Sequence, residues 1–285
     1  MKQIVFTDLD GTLLDPITYS YEKSLSGINL LKESDIPIVF CSAKTRAEQE
    51  IYRHKLGIFH PFVVENGGAI FVPQGYFPFL FEYHKTVDEF LLIEMGSPYR
   101  EIRDLLNRVR EKGKFHFTGF GDMTANEVAE VTGLDIESAK LAKQREYDET
   151  VKFDVTDEEV NKTLEKIEES GLTWTHGGRF YGVMKGNDKG KAVKIVTDLY
   201  RKMWGEIKTI GLGDSLNDLP MLSAVDIPIL VQKADYSWED TNLPHLRKVQ
   251  GIGPEGWSRA IEEMVTGTPG NSQNSWRQRN TRSKK

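Results

Sequence analysis

Two short apolar runs lie far apart in the chain, Ile4-Val5-Phe6 and Thr209-Ile210-Gly211-Leu212, and each ends at a cluster of carboxylates. Asp8 and Asp10 follow the first run, and Asp214 and Asp218 follow the second. An unalternating apolar run bounded by polar residues marks a strand covered on both faces. Residues 36–41, 62–65 and 227–231 read the same way, and helical patterns over 21–32, 46–56, 189–203 and 217–224 are interleaved with these runs. The alternation predicts an α/β fold, a doubly wound and mostly parallel Rossmann-like sheet whose site lies at the carboxyl ends of its strands. Asp8, Ser42 and Asp214 all fall at such ends.

The middle of the chain has a different pattern. Ser97-Pro98 opens a helix with Ile102, Leu105, Leu106 and Val109 on one face. Thr124-x-x-Glu127 and Thr156-x-x-Glu159 have the form of capping boxes, and 114–118, 150–155 and 179–184 read as strands. We read 83–182 as an α+β domain inserted between core segments 1–82 and 183–266, followed by a basic, disordered tail at 267–285.

Charge and cysteine content narrow the function. The net charge of −6 conceals five basic residues and no acid in the tail, so the body is more acidic still. Nucleic-acid backbones are bound by clustered Lys and Arg, so an acidic body argues against that partner. No segment approaches the roughly 20 apolar residues of a membrane span. One cysteine, Cys41, builds neither a disulfide framework nor a cysteine zinc site, and a reducing cytoplasm fits best.

In Asp8-Leu9-Asp10-Gly11-Thr12 two carboxylates stand two residues apart where the chain leaves the sheet. Carboxylates this close repel unless a cation lies between them. Mg2+ suits the position, because it takes a few carboxylate oxygens, water and a substrate phosphate oxygen. Adjacent strands bring Asp214 near Asp8 as a direct ligand, with Asp218 in support. Taken alone, Asp214 could simply cap the helix after it. Four carboxylates need compensating donors before a phosphate can enter, and Ser42, Lys44 and Lys189 can supply them. Gly186-Asn187-Asp188-Lys189-Gly190-Lys191-Ala192 lacks the spacing and the terminal Ser or Thr of a P-loop.

Asp8-x-Asp10-Gly11-Thr12, Ser42, Lys189 and Gly213-Asp214-x-x-x-Asp218 resemble, in order, the four signatures of haloacid dehalogenase-type phosphatases. The insertion is similar to the C2 cap of Cof-type members. Within that superfamily, Ser42-Ala43-Lys44-Thr45, Val64-Glu65-Asn66-Gly67-Gly68, Gly121-Asp122-Met123-Thr124, Arg145-Glu146-Tyr147-Asp148-Glu149 and Thr175-His176-Gly177-Gly178-Arg179-Phe180-Tyr181 resemble the mannosyl-3-phosphoglycerate phosphatases. One departure is Gly182, where that pattern has histidine.

The resemblance implies Asp8 as nucleophile, Asp10 as acid and then base, Thr12 orienting Asp10, and Mg2+ held by Asp8, the Asp10 carbonyl and Asp214, with Asp218 behind. It implies a small phosphorylated sugar-glycerate substrate, read by Lys44, Glu65, Asn66, Arg145, His176, Arg179 and Asn217. His176 reads equally well as a structural histidine. A glucosyl ester, a general sugar phosphate, and transfer of the phosphoryl group to a second sugar hydroxyl stay open beside it.

Overall fold

The computed structural model describes residues 1–113 and 115–267. The basic tail expected over 267–285 therefore lies outside the described residues, apart from Gly267. In chain order the core begins with β1 (Lys2–Thr7), α1 (Leu25–Glu33), β2 (Ile38–Phe40), α2 (Arg46–Leu56), β3 (Phe62–Val64), β4 (Ala69–Pro73), β5 (Lys85–Val87) and β6 (Phe90–Glu94). The insertion follows as α3 (Tyr99–Gly113), β7 (Thr118–Gly119), α4 (Ala125–Thr132), α5 (Ile136–Ala142), β8 (Asp148–Lys152), α6 (Asp157–Glu169), β9 (Thr173–Gly177) and β10 (Phe180–Met184). The core resumes with α7 (Lys189–Trp204), β11 (Ile207–Gly213), α8 (Leu219–Leu222), β12 (Ile227–Gln232), β13 (Arg247–Ile252) and α9 (Pro254–Thr266).

The main sheet has the order β13-β12-β11-β1-β2, with every pairing parallel. Ile4, Val5 and Phe6 are fully buried, as expected of a strand with helices over both faces. From β1 the chain steps one way to β2, and after the insertion it steps the other way through β11, β12 and β13. The β1/β11 boundary is thus the switch point, where an open α/β sheet forms its crevice. The register pairs Thr7 with Leu212, and the Asp8 amide donates to the Leu212 carbonyl at 3.0 Å. Pairing of these two strands is what brings the distant acidic clusters to one edge.

A second sheet, β3-β4-β6-β5, is antiparallel and joins the first through a parallel bridge between Cys41 and Val63. Its ladder pairs Ala69–Pro73 with Phe90–Glu94, and Phe90 and Leu92 are buried in the same apolar cluster as Val5 and Ile210. Residues 85–94 therefore pack with the core, and the insertion starts near Ser97 instead of residue 83. Its two connections run side by side, with the Ser97 amide donating to the Lys185 carbonyl at 2.8 Å.

The inserted domain is a four-stranded antiparallel sheet, β7-β8-β10-β9. Ile102, Leu106 and Val109 of α3 and Leu164 and Ile167 of α6 cover one face, packing on Val151 and Val183. The Thr124 and Thr156 capping boxes form as expected, each threonine accepting from the third helical amide. The expected strand at 114–118 shortens to Thr118–Gly119, and Lys114 is outside the described residues. The other sheet face looks toward the carboxyl ends of the core strands, and α4 and α5 pack beside it around Val128 and Ala139.

Candidate active site

The site forms at the switch point. Asp8 follows β1, and Asp214 and Asp218 follow β11; one oxygen from each carboxylate lies within 4.8 Å of the others. Gly11 has φ +76°, a left-handed turn, and a side chain there would meet Asp214 Oδ2 at 2.8 Å. Lys189, the first residue of α7, is buried and donates to Asp8 Oδ1 at 2.9 Å and to Asp218 Oδ1 at 2.7 Å. The second Asp218 oxygen accepts from the backbone amides of Asp214 and Ser215 at 3.1 and 3.3 Å. Asp218 thus holds the loop and the lysine, leaving Asp8 and Asp214 as the freer oxygen donors.

Thr12 differs from expectation. Its hydroxyl donates to Asp214 Oδ1 at 3.0 Å, because the Gly11 turn carries it back toward β11 and away from Asp10. Asp10 instead pairs with Lys44 at 3.1 Å, and Lys44 also bonds Glu48 at 3.1 Å. Among the described residues Asp10 Oδ1 is buried without a hydrogen-bond partner, although 43% of the side chain remains exposed.

Burial, then Asp218, pushes the Asp8 carboxyl up to about 7 against the pull of Lys189. Asp10 is raised by burial, opposed by Lys44. Asp214 is raised well above the ordinary carboxylate range by burial and by Asp218 and Asp8. Burial opposes charge on Lys189 and Lys44, yet the surrounding carboxylates raise both above the ordinary lysine value. One lysine among Asp8, Asp214 and Asp218 leaves excess negative charge on a set of hard oxygen donors, which suits a divalent cation.

A cavity of about 400 Å³ opens over these groups and is roofed by the inserted domain, which acts as a cap. Asp8, Asp10, Ser42, Lys44, Asn66, Arg145, Arg179, Asp214 and Asn217 line it. Ser42 is buried beyond β2, just before the α2 N-terminus at Thr45, whose side chain accepts from the Glu48 amide. Asn66 donates to Asp148 Oδ2 at 3.0 Å, and its own oxygen accepts from Asn217 at 3.4 Å. Arg179 donates to the Thr132 carbonyl at 2.7 Å and, among the described residues, has no carboxylate partner.

Three expected substrate contacts are placed differently. Glu65 is fully buried, and its carboxylate accepts from the amides of Glu146, Tyr147 and Asp148 at 2.7–3.1 Å. It fastens the cap to the core and lies outside the cavity lining. Arg145 lines the cavity but is committed to Asp148 and to the Ala43 carbonyl at 2.7 Å. His176 stacks on Tyr181 with ring centroids 4.4 Å apart. Side chains alternate along a strand, so Thr175 and Gly177 face the cavity while His176 faces the helix-covered side.

Sequence reasoning missed Tyr19 and Asp148. Tyr19 has φ +56°, its hydroxyl donates to Thr132 of the cap at 3.2 Å, and its ring lies 5.1 Å from Lys44 Nζ. Its single aromatic ring in a polar loop offered no signal.

The switch-point crevice, the acid cluster and the inserted cap together define a class. The chain belongs to the haloacid dehalogenase-like hydrolase family, whose sequence model matches residues 5–240. Within that class it is similar to the glucosyl-3-phosphoglycerate/mannosyl-3-phosphoglycerate phosphatase of Methanococcoides burtonii, with 49% identity over 93% of this chain and 98% of that protein. It is also similar to the mannosyl-3-phosphoglycerate phosphatase of Pyrococcus horikoshii, with 38% identity over 81% of this chain and 91% of the relative. A solved protein from Thermoplasma acidophilum shares the fold at TM-score 0.64 and 18% identity, covering 94% of this chain and all (100%) of that one.

Proposed function

We propose that this chain is a phosphoric monoester hydrolase that converts mannosyl-3-phosphoglycerate to mannosylglycerate and inorganic phosphate. The observation that carries the reading is the convergence of Asp8, Asp214 and Asp218 within 4.8 Å beneath a capped cavity. The names of the two relatives support the substrate. The Methanococcoides relative is named for both sugars, which favours the glucosyl ester as a second substrate.

Asp8 attacks phosphorus, breaking the bond to the glycerate oxygen and forming an aspartyl-phosphate. Asp10, whose pKa is raised by burial, gives its proton to the leaving oxygen and then accepts one from the water that hydrolyses the intermediate. Lys189 stays charged and offsets the anion on Asp8 and on the phosphoryl group. Lys44, which lines the same cavity, adds a second positive charge for the phosphate. Asp8 and Asp214, with the Asp10 carbonyl, are the groups that would hold Mg2+. The bound ion supplies charge neutralisation between nucleophile and substrate. Arg179, which has no carboxylate partner among the described residues, receives the glycerate carboxylate.

The single buried cysteine fits a cytoplasmic enzyme, and among the described residues no helix is long and apolar enough to cross a membrane. The test is phosphate release from mannosyl-3-phosphoglycerate, glucosyl-3-phosphoglycerate, sucrose 6-phosphate and simple hexose phosphates. Strong preference for the first two is expected. Equal rates across the panel would leave a generalist phosphatase, and transfer to sugar without phosphate release would leave a phosphotransferase.

A further inference from the structure

The cavity face of the cap sheet carries a row of three residues in register. Gly182 of β10 pairs with Thr150 of β8 on one side and with Thr175 of β9 on the other. All three line the cavity that contains Asp8 and Asp10. Their neighbours along the strands turn away, Glu149 toward Tyr99 and Arg103 of α3 and Tyr181 toward Phe153 and Trp174.

Among the described residues, neither the Thr150 nor the Thr175 hydroxyl has a hydrogen-bond partner. Other threonines around the site are engaged: Thr12 on Asp214, Thr45 on Leu141 and Thr132 on Val128. Both threonines are partly buried in the cavity wall. Adjacent strands lie about 4.8 Å apart, which sets the two threonines roughly 10 Å apart across the bare backbone of Gly182. A side chain at Gly182 would come within 3.0 Å of Asn66 Nδ2, so the glycine keeps the gap open. Two hydrogen bonds of about 2.8 Å, one from each threonine, leave room between them for a single pyranose ring.

A hydroxyl both donates and accepts, which matches a sugar hydroxyl better than an anion or an apolar group. We propose that Thr150 and Thr175 are specificity-determining residues that grip hydroxyls on opposite edges of the substrate's sugar ring, with that ring seated over Gly182. The inference rests on the glycosylated substrate proposed above and assigns the residues that read its sugar. A site built to bond hydroxyls discriminates strongly against an analogue lacking them.

The experiment uses Thr150→Val and Thr175→Val, which keep side-chain shape and suit a strand. Initial rates are measured on mannosyl-3-phosphoglycerate and on two sugar-free esters, 3-phosphoglycerate and p-nitrophenyl phosphate. Each variant is expected to lower kcat/KM for the glycosylated substrate about fivefold to tenfold, with the sugar-free esters unchanged within about twofold. The corresponding serine variants should recover most of the loss, which a purely structural role would not predict. Unchanged kcat/KM for the glycosylated ester, or equal losses on all three substrates, would overturn the assignment while leaving the wild-type preference intact. A wild type with no preference for the glycosylated ester over 3-phosphoglycerate would remove the substrate reading and this inference together.

Discussion

Lys189 Nζ lies 2.9 Å from Asp8 Oδ1, a buried pair joining residues on opposite sides of the cap insertion. The lysine enters from the first turn of α7, and the carboxylate directly follows β1. Docking the two halves of the core therefore places a buried positive charge beside the carboxylate proposed as the nucleophile. Removing that charge by Lys189→Met should lower kcat/KM by at least about 100-fold. Steady-state kinetics with p-nitrophenyl phosphate measure this without involving the cap, and a loss under fivefold would remove Lys189 from the machinery.

Thr12 steadies Asp214 through its 3.0 Å hydrogen bond. Groups that orient a metal ligand usually affect metal affinity about 10- to 100-fold. Thr12→Val should shift the Mg2+ concentration for half-maximal activity upward by at least about tenfold, with kcat at saturating Mg2+ within about threefold of wild type. A lowered kcat with an unchanged Mg2+ requirement would instead favour a role on Asp10.

Arg145 is buried between Asp148 of the cap and the Ala43 carbonyl of the core. Breaking a buried ion pair by removing one partner costs about 3–5 kcal/mol. Arg145→Met should lower the urea midpoint by an amount corresponding to about 3 kcal/mol. Unchanged stability with a raised KM for the phosphoglycerate would return Arg145 to direct substrate binding.

His176 stacks on Tyr181 on the face away from the cavity. His176→Phe should therefore leave kcat/KM for mannosyl-3-phosphoglycerate within about twofold, whereas Arg179→Met should lower it by about 100-fold or more. Comparable losses for both variants would contradict the strand parity.

Burial and nearby Arg53 and Lys32 lower the His60 imidazole from 6.5 to about 4. Between those values the unfolded chain takes up a proton that the folded protein refuses. The unfolded state binds more protons there, so this group stabilises the fold above pH 6.5 and loses its contribution as pH falls toward about 4. Thermal unfolding of His60→Gln should depend less steeply on pH across that window than wild type does. An equal or steeper dependence would contradict the assignment.

The core strands were legible because burial on both faces leaves unbroken apolar runs such as 4–7 and 227–231. The acidic clusters were legible because each stands where such a run stops. The start of the cap was not, since Lys85–Val87 and Phe90–Glu94 are tied to the core by pairing with Ala69–Pro73, which no local pattern records. The family resemblance implies Glu65 as a substrate contact, and nothing near it in the sequence shows that its carboxylate is already occupied. The three amides that occupy it come from residues 146–148, far along the chain. His176 and Thr175 are adjacent in sequence, and only the direction of β9 decides which of them meets the cavity.

Phosphorylation of Asp8 itself tests the account most directly. Wild-type enzyme mixed with mannosyl-3-phosphoglycerate and Mg2+, quenched in acid within a turnover, should carry one phosphoryl group that peptide mass spectrometry maps to Asp8. Asp8→Asn should carry none and release no phosphate. Continued turnover by that variant, or a phosphoryl group found on a different residue, would contradict it.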